Sequence, residues 1–347
     1  MQNSLFPDAP RPVPVPASPR RKTSTSVQPA APRPEHQMLA AALPNTLHLG
    51  TSSWTYPGWT GLVWAEDYPD AKLSKEGLRA YSQHPLMRAV SVDRAFYRPL
   101  TVSQYTAYAL QVPDDFRFVI KAPSLVSDAL VRDETGRGMT MNRNFLDPER
   151  AVREFVEPAL AGLGHKLGAL VFQLSPLPEA WLKRLDRVLD QLATMLATLP
   201  SLLPAAPDAV IAVEVRDPLF LQPPHAARLA SLLRDAGATY CLGLHAKMPP
   251  IAEQLPMLRA LWPRPLVCRW NLHRVHGAFG YEEAKQLYAP YDKLVDPDPE
   301  TRAALVKVIA ATTAAGHKAY VTISNKAEGS APLTVEALAQ AMLDLQR

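Results

Sequence analysis

Cysteine is scarce. The chain of 347 residues has two, Cys241 and Cys268, in separate apolar segments without metal-ligand spacing. That excludes a disulfide-stapled scaffold, and two buried, reduced thiols fit a cytoplasmic protein. No apolar run reaches the roughly 18–20 residues that a bilayer-spanning helix needs, so no membrane partner is expected. The N-terminus "MQNSLFPDAP" has no charged segment followed by an apolar one, and so does not read as a secretory signal. Also missing are HExxH, GxSxG, a phosphate-binding Walker loop, and a GxGxxG after the first strand-like run.

Net charge is small as well, at +4. Residues 1–45 hold five cations (Arg11, Arg20, Arg21, Lys22, Arg33) against Asp8 and Glu35, which is +3 and leaves +1 for the rest. The body is therefore not a basic surface that would hold nucleic acid by bulk charge, although a local basic cleft stays open.

Proline is abundant where structure is not expected. Ten of the 35 prolines fall in the first 44 residues, among Ser, Ala and Arg. Such a segment buries too little apolar surface to offset its ordering entropy, so residues 1–45 read as a disordered, partly polyproline-II tail. Its tip, "QNSLF", resembles the short peptide with which bacterial DNA-maintenance proteins dock on the replication sliding clamp. The resemblance implies that Leu5 and Phe6 would fill an apolar pocket while Gln2 bonds at its rim.

From residue 46 to 347 the chain alternates short apolar runs with amphipathic ones. Eight runs rich in Val, Ile and Leu cover 47–54, 89–96, 116–123, 168–175, 209–217, 239–246, 265–272 and 319–326. They are bounded by Pro, Gly or Asp, as buried parallel strands are. Between them lie helical stretches, such as 178–196 with Leu182, Leu185, Leu189 and Leu192 at helical spacing, and Pro148, Pro178 and Pro299 mark helix starts. Eight βα units in about 300 residues predict one α/β domain, a TIM (β/α)8 barrel.

Active sites of such barrels lie at the C-terminal ends of the strands, and here every run turns polar at its far end. The residues are Thr51 to Ser53, Asp93, Lys121, Gln173, Glu214 with Arg216, His245, Arg269 with Asn271, and Asn325. Alternation puts Ala212, Glu214 and Arg216 on the inner face of the fifth strand, and Val267, Arg269 and Asn271 on that of the seventh. Opposite charges placed there form either a buried ion-pair network or an acid/base carboxylate with cationic clamps. Lys121 is either a base or Schiff-base nucleophile, or a fixed cation for an anion. His245, His273 and His276, with Asp93 and Glu214, could assemble a divalent metal site at the mouth, and no spacing demands one; no cofactor is expected. Gly329 to Ala331, ahead of a helix with Thr334 as its N-cap, offer either an anion site or a plain capped turn.

The blocks "GTSSWTYPGW", "FYRPL", "FRFVIKAP", "LGALVFQLSP", "AVEVRDP" and "NKAEGSAPLTVEAL" resemble, in order, those of the domain-of-unknown-function 72 family. The resemblance runs from about Leu47 to the end and implies a TIM barrel without supplying a reaction. Its blocks cover Trp54, Tyr56, Trp59, Phe96, Tyr97, Arg98, Lys121, Gln173, Glu214, Arg216 and Asn325. Three places depart from it. Ser91 and Asp93 stand where members read Glu-x-Asn, "SLVSDAL" replaces a Thr-His, and the Arg-x-His-Gly block corresponds either to Arg269 to Asn271 on the strand or to Arg274 to Gly277, a better match that falls in the loop.

The leading expectation is an enzyme acting on an anionic small molecule, phosphorylated, sugar-like or nucleotide-like. Glu214 would be the general acid/base and Asp93 a second carboxylate. Lys121, Arg216 and Arg269 would hold the anion, and Gln173, Asn271 and Asn325 would orient polar groups. Trp54, Tyr56 and Trp59, with Tyr97 and Arg98, would wall the mouth. The alternatives are a nucleic-acid processing barrel tethered by its tail, with or without a metal-dependent mechanism, and a non-catalytic ligand-binding barrel.

Overall fold

A computed structural model describes residues 26–133, 137–277 and 280–345. Eight parallel strands close a barrel: β1 (Leu47–Thr51), β2 (Ala89–Val92), β3 (Arg117–Lys121), β4 (Leu167–Gln173), β5 (Val210–Glu214), β6 (Thr239–Leu244), β7 (Leu266–Trp270) and β8 (Ala319–Ile323). Each pairs with its neighbours in chain order, and β1 pairs with β8 from Leu47↔Ala319 to Thr51↔Ile323. Seven lie within the runs that the sequence marks, and β4 starts one residue ahead of its run, at Leu167. Among the described residues no helix is long and apolar enough to cross a membrane.

The period of two divides the core. Val119, Ala169, Val171, Val210, Ala212, Cys241, Val267 and Tyr320 point inward as one apolar plug, while the alternate residues join the larger core under the helices. One inward step above the plug are Lys121, Gln173, Glu214 and Arg269, two residues beyond Val119, Val171, Ala212 and Val267. The polar mouth thus follows from the strand period and from where each apolar run stops.

Glycine enters where strands crowd. A Cβ on Gly50 would lie 1.8 Å from the Ala89 carbonyl oxygen, so β1 and β2 approach this closely only with glycine there.

Four local differences from the sequence reading have physical causes. Pro34–Ala42 is a helix with Pro34 in its first turn and Leu39 buried, and Val27 is buried too, so the ordered body starts before residue 46. Enough apolar side chains interrupt the proline there to bury surface; the peptide at Gln2, Leu5 and Phe6 lies outside the described residues. The stretch 147–164 is broken by a π-turn at Val152–Val156, just ahead of Pro158, whose missing N–H interrupts the α-helical ladder. The stretch after Pro178 splits into Glu179–Leu182 and Leu185–Thr198, parted at Lys183 and Arg184. Between β3 and the π-turn stands an unforeseen two-stranded hairpin, Leu130–Arg132 with Gly138–Met141.

Candidate active site at the barrel mouth

Arg269 is the hub of the mouth. It ends β7 with only 2% of its surface exposed. Its Nη1 donates to Glu214 Oε2 at 2.6 Å and to Gln173 Oε1 at 2.9 Å. Its Nη2 donates to both carboxylate oxygens of Asp93, at 2.9 and 3.0 Å. Burial alone would lower its pKa, but Asp93 and Glu214 outweigh burial and raise it above the ordinary value.

Glu214 is wholly buried. Its Oε1 lies 2.6 Å from Arg216 Nη2 and 3.5 Å from Asn271 Nδ2, and the Cys241 thiol sits 3.9 Å from Oε2. Gly243 leaves the room it needs, since a Cβ there would stand 3.1 Å from Oε1. Burial pushes the carboxyl pKa up, but Arg216 and Arg269 outweigh it and hold the group below the usual carboxylate range. Such a carboxylate is a poor proton donor or acceptor near neutrality, so the acid/base role expected of Glu214 does not suit its surroundings. It suits the role of an anchor that sets two guanidinium groups.

Gln173 Oε1 accepts from both Arg216 Nη2 and Arg269 Nη1, each at 2.9 Å. One amide oxygen thus ties β4 to β5 and β7. Asp93 is only part buried and takes a 2.7 Å bond from Ser91 Oγ, so Ser91 and Asp93 act as a pair.

Lys121 has no carboxylate within ion-pair distance and no hydrogen bond among the described residues. Its Nζ lies 3.5 Å from the centre of the Phe96 ring. Burial first, then the charge of Arg269, brings its pKa down to about 7.

The loops complete the rim. Tyr56 packs on Trp59 (centroids 4.9 Å) and Tyr291 (5.3 Å), and the charge of Asp93 reaches it. Tyr97 is 83% exposed, and Arg98 is exposed with no contact to the network. Trp54 and Trp59 are corrections. Trp59 is fully buried, with Nε1 on Asn325 Oδ1 at 3.1 Å, and Trp54 is buried with Nε1 on the Leu73 carbonyl at 3.1 Å. Both indole N–H groups bind the first loop to the body; Trp59 offers no surface to a ligand, whereas Trp54 keeps an edge on the cavity beside Asp93 and Tyr56 stays part exposed. Asn325 is likewise structural on its acceptor side, because Oδ1 also caps the last helix through Ala331 N at 2.8 Å. That helix begins at Ala331, so Thr334 lies inside its first turn and is not its N-cap, and the capped turn replaces an open anion site.

The histidines do not converge. His245 Nδ1 accepts from Lys247 N, His273 Nδ1 accepts from Val275 N, and His276 Nε2 pairs with Tyr288 Oη at 2.6 Å. Asp93 and Glu214 are spent on guanidinium groups. Among the described residues no three His, Cys, Asp or Glu side chains are grouped to hold a metal. Both cysteines are free and buried, and burial raises their pKa values.

Sequence reasoning missed Lys326 and Tyr281. Lys326 follows β8, is 5% exposed, and sits 4.2 Å from the centre of the Tyr281 ring. Burial and Lys285 bring its pKa to about 8. Burial first, then the charge of Asp93, raises the pKa of Tyr281, whose ring packs on Lys326. The signal for Lys326 was its place directly after Asn325; for Tyr281 there was none.

A cavity of about 150 Å³ opens beside Asp93, between Ser53, Trp54, Ser74 and Ser91. Larger clefts, about 490 Å³ at Trp181 and about 550 Å³ between Ile251–Ala260 and Pro299–Ala314, lie on the outer helices. Neither is lined by Asp93, Lys121, Glu214 or Arg269.

The family model described as "Protein of unknown function DUF72" matches residues 48–347. Two crystal structures of a DUF72 family protein from Enterococcus faecalis are similar at 17% identity. They cover 86% of this chain and 95% and 97% of theirs, with TM-scores of 0.57 and 0.51. A DUF72 family protein from Thermotoga maritima is 15% identical over 87% of this chain and 99% of its own, with a TM-score of 0.46. The search of curated proteins finds no match.

Proposed function

The chain belongs to the DUF72 family, and on that premise we propose that it is an enzyme acting on an anionic small molecule at the C-terminal mouth of its barrel. The observation that carries this reading is Lys121, an ammonium at the mouth with no carboxylate to pair it, set beside the guanidinium groups of Arg216 and Arg269. A cation so placed is relieved by an anion from outside.

Arg216 is the anion clamp in this reading. It uses Nη2 on Gln173 and Glu214, while its buried Nε has no partner. Lys121, brought to about 7, is poised to accept and return a proton at working pH. Asp93, part exposed and held by Ser91 and Arg269, is the second carboxylate beside the substrate. Arg269 has both Nη groups occupied and, with Glu214 and Gln173, positions the others. Tyr56, Tyr97 and Tyr281 offer ring faces to a sugar or base.

Calorimetric titration with inorganic phosphate tests the reading. Wild type should bind, and Arg216→Met and Lys121→Met should each weaken binding at least about tenfold, the equivalent of one charge-assisted contact. Binding unchanged in both variants, or absent in wild type at neutral pH, would remove the proposal's basis.

A further inference from the structure

Lys326 stands outside the network just described. It is 5% exposed, and its Nζ has neither a hydrogen bond nor an ion pair among the described residues. Its nearest neighbours by charge are Lys285, Glu282 and Asp93, all acting at a distance; Glu282 is engaged by Lys285 at 3.3 Å. The Tyr281 ring lies against the ammonium, its centre 4.2 Å from Nζ.

Its place in the barrel matters. Lys326 follows β8 and Arg216 follows β5, three strands away round an eight-stranded ring. At ordinary strand spacing that is about 14 Å along the ring, close to opposite sides of the mouth. Arg269, on β7 between them, has both Nη groups occupied by Asp93, Glu214 and Gln173, and only its buried Nε is without a partner among the described residues. The mouth therefore has two separated cationic poles with spare donors, Arg216 with Lys121 on one side and Lys326 on the other, and a middle in which Arg269 is held by two carboxylates. A ligand with a single anionic group can satisfy only one of them.

We infer that the ligand of the mouth carries two anionic groups on a spacer, one held by Arg216 and the other by Lys326 under the Tyr281 ring. The chemical class is a bisphosphorylated, or phosphorylated and carboxylated, small molecule. The inference rests on the anion-binding reading above and adds Lys326 as a second binding residue.

Calorimetry with hexane-1,6-diyl bisphosphate and octane-1,8-diyl bisphosphate, each against the matching monoalkyl phosphate, tests it. Wild type should prefer at least one bisphosphate by about tenfold or more, the value of one added charge contact. Lys326→Met should abolish that preference, bringing the bisphosphate affinity down to that of the matching monophosphate. Lys285→Met, which removes a nearby exposed charge outside the poles, should keep the preference. Lys326→Gln gives the same reading should the Met variant fold poorly. Equal affinities for both classes in wild type, or a preference that survives loss of Lys326 or falls equally with Lys285→Met, overturns the second pole and leaves the anion site standing. Failure of wild type to bind either class overturns both.

Discussion

Arg269 Nη1 stands 2.6 Å from Glu214 Oε2, and neither side chain keeps more than 2% of its surface in contact with solvent. This pair, with Arg216 and Asp93 attached, makes the polar layer one unit. Removing one partner of a buried pair leaves the other charge uncompensated. Glu214→Ala and Glu214→Gln should each lower unfolding free energy by about 3–5 kcal/mol, as read by chemical denaturation. A stable Glu214→Gln that still binds phosphate but loses all turnover would return Glu214 to the acid/base role.

The two unpaired lysines set a pH dependence of stability. Their folded pKa values, about 7 for Lys121 and about 8 for Lys326, lie below the ordinary 10.5. Between those values and 10.5 the unfolded chain binds more protons, so stability rises with pH across that window. The destabilisation is complete below pH 7 and gone above 10.5. Lys121→Met should therefore gain most over wild type near pH 6 and lose the advantage by pH 10.5, in melting temperatures taken along a pH series. An advantage independent of pH would contradict the assignment.

At the acid end the sign comes from histidine. Burial holds His48, His84 and His245 down to about 3 against 6.5, so each is neutral in the fold and protonated in the unfolded chain between those values. Stability is lost as pH falls from 6.5 towards 3. His48, with neither ring nitrogen hydrogen-bonded, stacks on Tyr320 with centroids 5.2 Å apart. His48→Phe should flatten this acid limb; an unchanged limb would show that His48 does not contribute.

Gly50→Ala should fail to fold or lose more than the 1–3 kcal/mol usual for overpacking, because its Cβ meets backbone rather than a yielding side chain. Gly243→Ala meets only the Glu214 side chain, at 3.1 Å, and should stay folded while weakening phosphate binding through displaced Arg216. Soluble expression and titration separate the two.

Strand positions were legible because period two and β-branched runs are local properties of the chain. The inward set Lys121, Gln173, Glu214 and Arg269 followed from the same period. What sequence did not reveal was pairing. Nothing in the order of residues says that Glu214 has both oxygens occupied, that Asp93 faces Arg269 across 176 positions, or that Lys121 meets the Phe96 ring and no carboxylate among the described residues. Trp54 and Trp59 misled for a related reason: a loop near a mouth can turn its aromatics inward, and their indole N–H groups found Leu73 and Asn325. Pro158 was visible, but its effect on the hydrogen-bond ladder depends on what packs beside it.

The central claim is that the ε-amine of Lys121 is unpaired in the free protein and is completed by an anion from outside. Heteronuclear NMR of protein labelled with ¹⁵N-lysine, with Lys121→Met for assignment, follows that amine directly through a pH titration. A midpoint near 7 without ligand, moving upward on addition of phosphate, is the predicted result. A midpoint at the ordinary 10.5, indifferent to phosphate, would contradict it.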